Sequence, residues 1–422
     1  MTRRPADFIQ HFCDAMRPLK RQIPGSRIGL AVSGGGDSMA LLHMMKAWAL
    51  DSEHELRVAT VNHGLRPEAL AETQMVQRAC KRMGIGCTTL EWAGWDKSGN
   101  LQDAARRARI DLINEWAQQN ELNAVATGHT ADDQAETFLM RLARGSGIDG
   151  LSGMATMKDR DGITWFRPLL SFRRAELRRF LTSKRVKWVD DPSNDDQSYD
   201  RVKMRNAQGT LDALGLTVDR LVETTTRMST ARRALERLTK TQAHEVASTT
   251  RYGSVKIDIV AFKLLPLELR YRLFAHALKW VSGSVYRPRF DALLDSAAKL
   301  SNGIDHTLLG CHIVTDGVIG EVCREVSKIG STSDFKMPFD DRWLVSGGDL
   351  NDGLILSPVG ERGLPQFKKW RELGASRISL LGTPAIWQNE TLIAAPMVHP
   401  DAIWSCRLKK DDHDFFTSVV TH

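Results

Sequence analysis

Residue types suited to handling a phosphate ester lie side by side in Ser33-Gly34-Gly35-Gly36-Asp37-Ser38. Three consecutive glycines let a backbone approach an anion closely, and a helix start adds unpaired N–H groups and the positive end of a dipole. The flanks supply that geometry. Ile28, Leu30 and Val32 form a short apolar run over residues 27–32, as in a buried parallel strand, and Met39, Leu42, Met45 and Trp48 recur at helical spacing. Asp37 and Ser38 are expected to cap that helix. The loop has no Lys-Ser/Thr ending and no G-x-G-x-x-G, so the P-loop NTPase and dinucleotide fingerprints both fail. Taken alone, it also reads as a strand-to-helix turn that binds nothing.

A second stretch is Gly128-His129-Thr130-Ala131-Asp132-Asp133-Gln134-Ala135-Glu136-Thr137. Asp132 and Glu136 share a helix face, and Asp133 lies one residue off it. Acid at a helix start is favoured by the dipole alone, by roughly 0.3–1 kcal/mol per residue. That effect does not explain the Gly-His before the acids, nor Arg141, Arg144 and a Gly-Ser-Gly turn after them. Beside a phosphate loop, such carboxylates can hold Mg²⁺ or receive a cationic substrate.

Basic residues complete the set. Arg106 and Arg109 share a helix face at i, i+3, a pattern equally open to simple solvation. Over residues 173–184, Arg173, Arg174, Arg178 and Arg179 oppose Leu177, Phe180 and Leu181. Near a nucleotide site, a basic amphipathic helix reads as an RNA-backbone contact. Residues 220–240 carry six Arg/Lys against two Glu and repeat the theme.

The elements that must position these groups alternate. Strands are expected at 27–32, 56–61, 88–92 and 124–127, and helices at 1–24, 39–50, 67–83, 100–119 and 131–144. In the first helix Phe8, Phe12 and Met16 form one face; in the last, Phe138, Leu139 and Leu142 point inward. Alternation of this kind predicts an α/β fold with a doubly wound parallel sheet, which binds ligands outside the carboxyl ends of its strands. Ser33–Ser38, Asn62–Arg66 and Gly128–Asp133 fall at those ends.

A chain of 422 residues exceeds one ordinary core. A mostly helical middle domain is expected over 216–302, with a strand-like interruption at 254–259. A small β-rich C-terminal domain is expected over 303–422, where short alternating runs are punctuated by glycine. The net charge of +7 favours a polyanionic partner. No apolar run reaches the length of a membrane helix, and the N-terminus lacks a signal-peptide core. Cys13, Cys80, Cys87, Cys311, Cys323 and Cys406 form no C-x-x-C pair, so no zinc or iron–sulfur site is readable. Reduced thiols in the cytoplasm are the simplest account.

Ser-Gly-Gly-Gly-Asp-Ser directly after a strand resembles the pyrophosphate-binding loop of the ATP pyrophosphatase superfamily. With residues 61–66, 100–109 and 126–150 in that order, the chain resembles the tRNA(Ile)-lysidine synthetases. The 126–150 segment reads ATGHTADDQAETFLMRLARGSGIDG. Arg167-Pro168-Leu169-Leu170 and residues 188–194 (WVDDPSN) extend the match to about residue 206. One departure is Val202, which stands where the family usually has Asn. The looser likeness of residues 356–370 and 384–396 is to the C-terminal domain of long-form members. There Glu361-Arg362 and Lys368-Lys369 read equally as surface charge and as a grip on the acceptor stem.

The resemblance implies an adenine nucleotide alpha hydrolase-like catalytic domain over 1–215 and a two-step reaction. ATP first adenylates the wobble cytidine of the AUA-reading isoleucine tRNA, with anticodon CAU, at its carbon-2 oxygen. Free L-lysine then displaces AMP. It also implies roles for residues. Ser33, Gly34, Gly35, Gly36, Asp37, Ser38, His63 and Arg106 would bind ATP, and Asp37 would meet Mg²⁺. Asp133 and Glu136 would serve lysine or the metal, and Arg173, Arg174, Arg178 and Arg205 would contact tRNA. Three rivals stand beside this reading. They are a tRNA thiolase, for which a cysteine motif is missing; a small-molecule amidating synthetase, for which a glutaminase-like domain is missing; and a non-enzymatic RNA-binding protein.

Overall fold

The computed structural model describes residues 5–64, 69–92, 101–190, 200–348 and 353–419. Leu65, Arg66, Asn100 and residues 191–194 of the sequence motifs lie outside them. The chain gathers into two compact units, Met1–Arg232 and Arg233–His422.

The first unit opens with α1 (Pro5–Lys20), β1 (Arg27–Ala31), α2 (Gly36–Ala49), β2 (Glu55–Asn62), α3 (Ala69–Met83) and β3 (Gly86–Glu91). It continues through α4 (Leu101–Gln119), β4 (Ala124–Thr127), α5 (Ala131–Ala143) and the short α6 (Ile148–Leu151). β5 (Met157–Arg160), β6 (Ile163–Phe166), α7 (Arg174–Ser183) and α8 (Asp200–Ala213) follow, and α9 (Val218–Val246) runs on past the boundary of the unit. The sheet order is β3-β2-β1-β4-β6-β5, parallel throughout except for β5.

Helices cover both faces of this sheet, which is why β1 and β4 read as nearly continuous apolar runs. On one face Phe8, Phe12 and Met16 of α1 and the apolar surface of α2 pack with Leu177, Phe180 and Leu181 of α7. On the other, Ile113, Trp116 and Ala117 of α4 meet Ala59, Val125 and Trp165. α2 is buried on nearly every side, as expected of a helix that is apolar all round. In α5, Phe138 and Leu139 are buried as expected, but Leu142 in its last turn is half exposed.

The antiparallel edge was not foreseen, although the signal was present. Asp161 and Gly162 both take positive φ (49° and 82°) and form the two-residue turn between β5 and β6. Asp-Gly is the pair that such a hairpin turn prefers.

The second unit contains β7 (Ala247–Thr249), β8 (Val255–Asp258), α10 (Ile259–Leu264), α11 (Leu267–Ser282), α12 (Phe290–Ser301), β9 (His306–Leu308), β10 (Cys311–Thr315) and β11 (Ile319–Arg324). The strands form one antiparallel sheet, β7-β8-β11-β10-β9. Val322 pairs with Val255, and Leu273, Phe274, Leu278 and Leu300 bury against Ile257, Ile313 and Val322. This sheet and its core run across the division expected at 302/303. Beyond it come β12 (Trp343–Gly347), β13 (Leu354–Pro358), α13 (Gly360–Gly363), α14 (Arg377–Leu381), β14 (Pro384–Gln388), β15 (Thr391–Ala394), β16 (Trp404–Leu408) and α15 (Asp412–Ser418). β12 pairs with β16, and β13-β14-β15 form a small sheet. Among the described residues no helix is long and apolar enough to cross a membrane.

Candidate active site

The glycine loop leaves the carboxyl end of β1 and enters α2. Gly34 sits at φ +89°, a conformation that strains any residue with a Cβ. Gly35, not Asp37 or Ser38, occupies the N-cap, and no side chain caps the helix. Ser38 instead ties the loop to itself. Its hydroxyl accepts from Ser33 N (3.2 Å) and donates to Gly35 O (2.9 Å). The first bond of the helix runs from Met39 N to Gly35 O, so the N–H groups of Gly36, Asp37 and Ser38 precede it at the positive end of the dipole. Val189 N donates to Gly34 O (3.0 Å), which lays the 188–190 segment along the loop.

Gly128 brings the acidic stretch to this loop. A Cβ there would lie 3.1 Å from the backbone of Asp37 and of Ser38, so the strand end and the start of α2 touch. α5 then begins with a reciprocal cap. Thr130 N and Oγ1 donate to Asp133 Oδ2 (2.8 and 2.9 Å), and Asp133 N donates to Thr130 Oγ1. One carboxylate oxygen of Asp133 is therefore structural. The other belongs to a cluster.

The centre of that cluster is Arg174, the first residue of α7. Its Nε lies 3.1 Å from Asp37 Oδ2, its Nη2 3.1 Å from Asp133 Oδ1 and its Nη1 3.4 Å from Glu136 Oε1. Glu136 Oε1 also accepts from Arg205 Nε at 3.1 Å. The backbone N of Arg174 donates to Asp132 Oδ2 (2.7 Å), which pins the start of the helix. Asp133 and Glu136, at i and i+3, thus converge on the guanidinium, while Asp132 turns to the helix end and to Arg173 Nε (3.7 Å).

Of the residues expected to contact tRNA, Arg174 and Arg205 face the acids of this cluster. Arg173 pairs with Asp132 and Asp219, and Arg178 is half-exposed and bonded to Asp190 at 2.6 Å. Val202 is buried in α8, whose Met204 and Leu211 pack with Ala131, Ala135 and Phe138 of α5, a contact that carries Arg201 and Arg205 to Glu136.

The electrostatics are uneven. Burial pushes the Asp37 carboxyl above its usual range despite the Arg174 guanidinium beside it. Burial acts the same way on Asp133, but Arg174 and the bonds from Thr130 outweigh it and hold that carboxyl below the usual range. Arg174 is buried as well, yet Asp133, Asp37 and Glu136 raise its pKa further. Burial drives His129 down to about 4, helped by Arg167, Arg201 and Arg106 and opposed by Asp133. Its imidazole is therefore neutral at neutral pH, with Nδ1 2.9 Å from Thr127 Oγ1.

Arg106 on α4 is exposed and close enough to bear on both His129 and Arg167. His63 stands at the end of β2, half-buried. His129, Arg167 and Arg201 were missed as site residues by sequence reasoning. Their signals were Gly-His at a strand end, Arg-Pro-Leu-Leu and Tyr-x-Arg.

A divalent cation finds a partial fit. Asp37 Oδ1 and Glu136 Oε2 are buried oxygens without a hydrogen-bond partner. Among the described residues no three acid, His or Cys side chains are grouped as a metal cage. That set suits Mg²⁺, which takes one or two carboxylates and fills its shell with phosphate and water.

The PP-loop domain family matches residues 8–209. A tRNA(Ile)-lysidine synthase from Ruegeria pomeroyi is 39% identical over 400 residues, covering 94% of this chain and 95% of that one. Its namesake in Wolbachia pipientis wMel is 36% identical over 387 residues, 89% of either chain. Among solved structures, a U34-tRNA thiolase with its [4Fe-4S] cluster, from Methanococcus maripaludis, overlays 53% of this chain and 80% of its own. Its TM-score is 0.46 and its identity 16%, too slight a likeness to argue from.

Proposed function

Given that this chain belongs to the tRNA(Ile)-lysidine synthase family, whose members are ATP-dependent ligases, we propose that it joins free L-lysine to carbon 2 of the wobble cytidine in the CAU-anticodon isoleucine tRNA. The observation that carries this reading is the contact between the glycine loop and the Asp37–Asp133–Glu136 cluster. An anion site and a cation site meet there through Gly128.

In the first step the cytidine carbon-2 oxygen attacks the α-phosphorus of ATP and pyrophosphate leaves. The N–H groups at the start of α2 and the hydroxyls of Ser33 and Ser38 receive the phosphate oxygens, and Arg106 and His63 line the approach. Asp37 would hold Mg²⁺, which when bound would neutralise charge on the leaving group. In the second step the lysine ε-nitrogen attacks carbon 2, AMP leaves with the oxygen, and the amine gives up a proton.

Lysine arrives as an ammonium, its ordinary pKa being about 10.4. Asp133, held below the usual carboxylate range, is a good ion-pair partner and a poor base. Glu136 Oε2, which makes no hydrogen bond and has Arg201 Nε 3.9 Å away, is the oxygen we assign to accept the proton. The preceding adenylation has by then put the reacting carbon in place.

The test is mass analysis of nucleosides from isoleucine tRNA incubated with the protein, ATP and lysine. Cytidine carrying an added lysine is expected, with one pyrophosphate and one AMP per product. A sulfur-bearing nucleoside, or ATP turnover that ignores lysine, would sink the proposal.

A further inference from the structure

The carboxylates proposed to receive the lysine ammonium already hold a cation, and the chain supplies it. Arg174 spends the outer edge of its guanidinium on Asp133 and Glu136 and its Nε on Asp37. Glu136 Oε1 is shared with Arg205, and Asp133 Oδ2 is committed to capping α5. An ammonium brought to the same acids would sit at contact distance from a guanidinium of like charge in a buried site, where repulsion is poorly screened. The pocket is therefore full while Arg174 stays.

Two features make Arg174 able to leave. Its backbone is fixed by the bond from its N to Asp132, so the side chain can swing without unwinding α7. Its Nε edge also rests on Asp37, the second residue of α2, directly beside the N–H groups that face an incoming phosphate. A triphosphate at the loop offers a guanidinium more charge than one carboxylate does, in a geometry arginine favours.

We infer that Arg174 is the resident occupant of the lysine pocket and yields it only when the phosphates of ATP draw its guanidinium toward the glycine loop. The inference rests on the assignment of Asp133 and Glu136 to lysine. It makes nucleotide binding a precondition for seating the amine, so that the nucleophile is not seated in a site that holds no ATP.

Equilibrium dialysis of labelled L-lysine against the full chain tests this, with and without α,β-methylene-ATP and Mg²⁺. The wild type is expected to bind lysine at least tenfold more tightly with the analogue than without it. Arg174→Gln is expected to show that gain with no nucleotide present, and Arg174→Lys, which keeps a cation in the pocket, to behave as the wild type. Equal lysine affinity in nucleotide-free wild type and Arg174→Gln overturns the inference. Wild-type affinity indifferent to the analogue overturns it as well, and that measurement stands even if Arg174→Gln fails to fold. Glu136→Gln separates the two levels. Lysine binding that survives this change removes the lysine site itself, whereas binding that needs Glu136 but ignores Arg174 removes only the gate.

Discussion

Each unit of this protein buries arginine against acid, and the two leave the acid oxygens differently satisfied. In the first, three carboxylates from two helices meet Arg174, with Arg205 and Arg201 also at Glu136, and two of the carboxylate oxygens stay without hydrogen bonds. In the second, Arg324 meets Asp340 one to one through both oxygens (2.8 and 2.9 Å). Its remaining donors go to the carbonyls of Gly310 (3.0 Å) and Lys328 (3.2 Å). Nearby, Arg342 is buried and donates a hydrogen bond to Gly253 O. The Arg324–Asp340 pair is closed, since both carboxylate oxygens accept from the guanidinium. The first unit leaves Asp37 Oδ1 and Glu136 Oε2 buried without a donor, which is costly in a fold unless a ligand from outside completes them.

The comparison breaks if the two acids behave alike. Asp37→Asn is expected to lower pyrophosphate release by about 10²–10³-fold. It should leave the urea midpoint unchanged or higher, because burial already disfavours the charged form of Asp37 and asparagine imitates the neutral one. Asp340→Asn is expected to cost about 3–5 kcal/mol of unfolding free energy, since it strands a buried guanidinium. Parallel urea titrations and pyrophosphate assays check both. Equal destabilisation would make the acid cluster a structural staple.

Acid titration sharpens the contrast on a smaller scale. His276 in the second unit is driven by burial to about 4, with its Nε2 2.9 Å from Phe415 O. Its folded pKa lies below the ordinary value of about 6.5, so between those limits the unfolded chain binds more protons. The contribution is complete above about pH 6.5 and fades as pH falls toward 4, by up to about 3 kcal/mol. His276→Gln should flatten that part of the stability curve in chemical unfolding followed across pH. His129→Gln should remove a separate share belonging to the first unit.

The smallest effect is expected at the surface. Arg178 pairs with Asp190 in the open, so Arg178→Ala should change stability by less than about 1 kcal/mol. If the outer face of α7 follows tRNA backbone, the same change lowers the log–log salt slope of tRNA binding by about 1. An unchanged slope returns this face to simple solvation.

By itself, the sequence determined the local grammar of the catalytic unit. A strand, three glycines and an apolar helix specify the anion loop, because strand burial and helix periodicity are written in neighbouring residues. Alternation of such units specified a parallel sheet, and with it the edge where the loop and the acids emerge. Phe8, Phe12, Leu177 and Phe180 were legible as core for the same reason. Asp161-Gly162 was equally local, and its hairpin was available to be read.

Only the tertiary structure decided which charges meet. Arg174 looked like one of four cations on the polar face of α7, and its partners lie 38, 41 and 137 residues away in the chain. Helix periodicity says which side of α7 is polar. It does not say that the first turn of that side lies against α2 and α5 while Arg178, one turn on, faces water. Asp133 differs from Asp132 for the same reason: both are acids at a helix start, and the position of α7 turns one toward a guanidinium and the other toward a backbone N–H. Charge is a long-range property settled by packing, and so the two unanswered carboxylate oxygens of this site became visible only once the helices were in place.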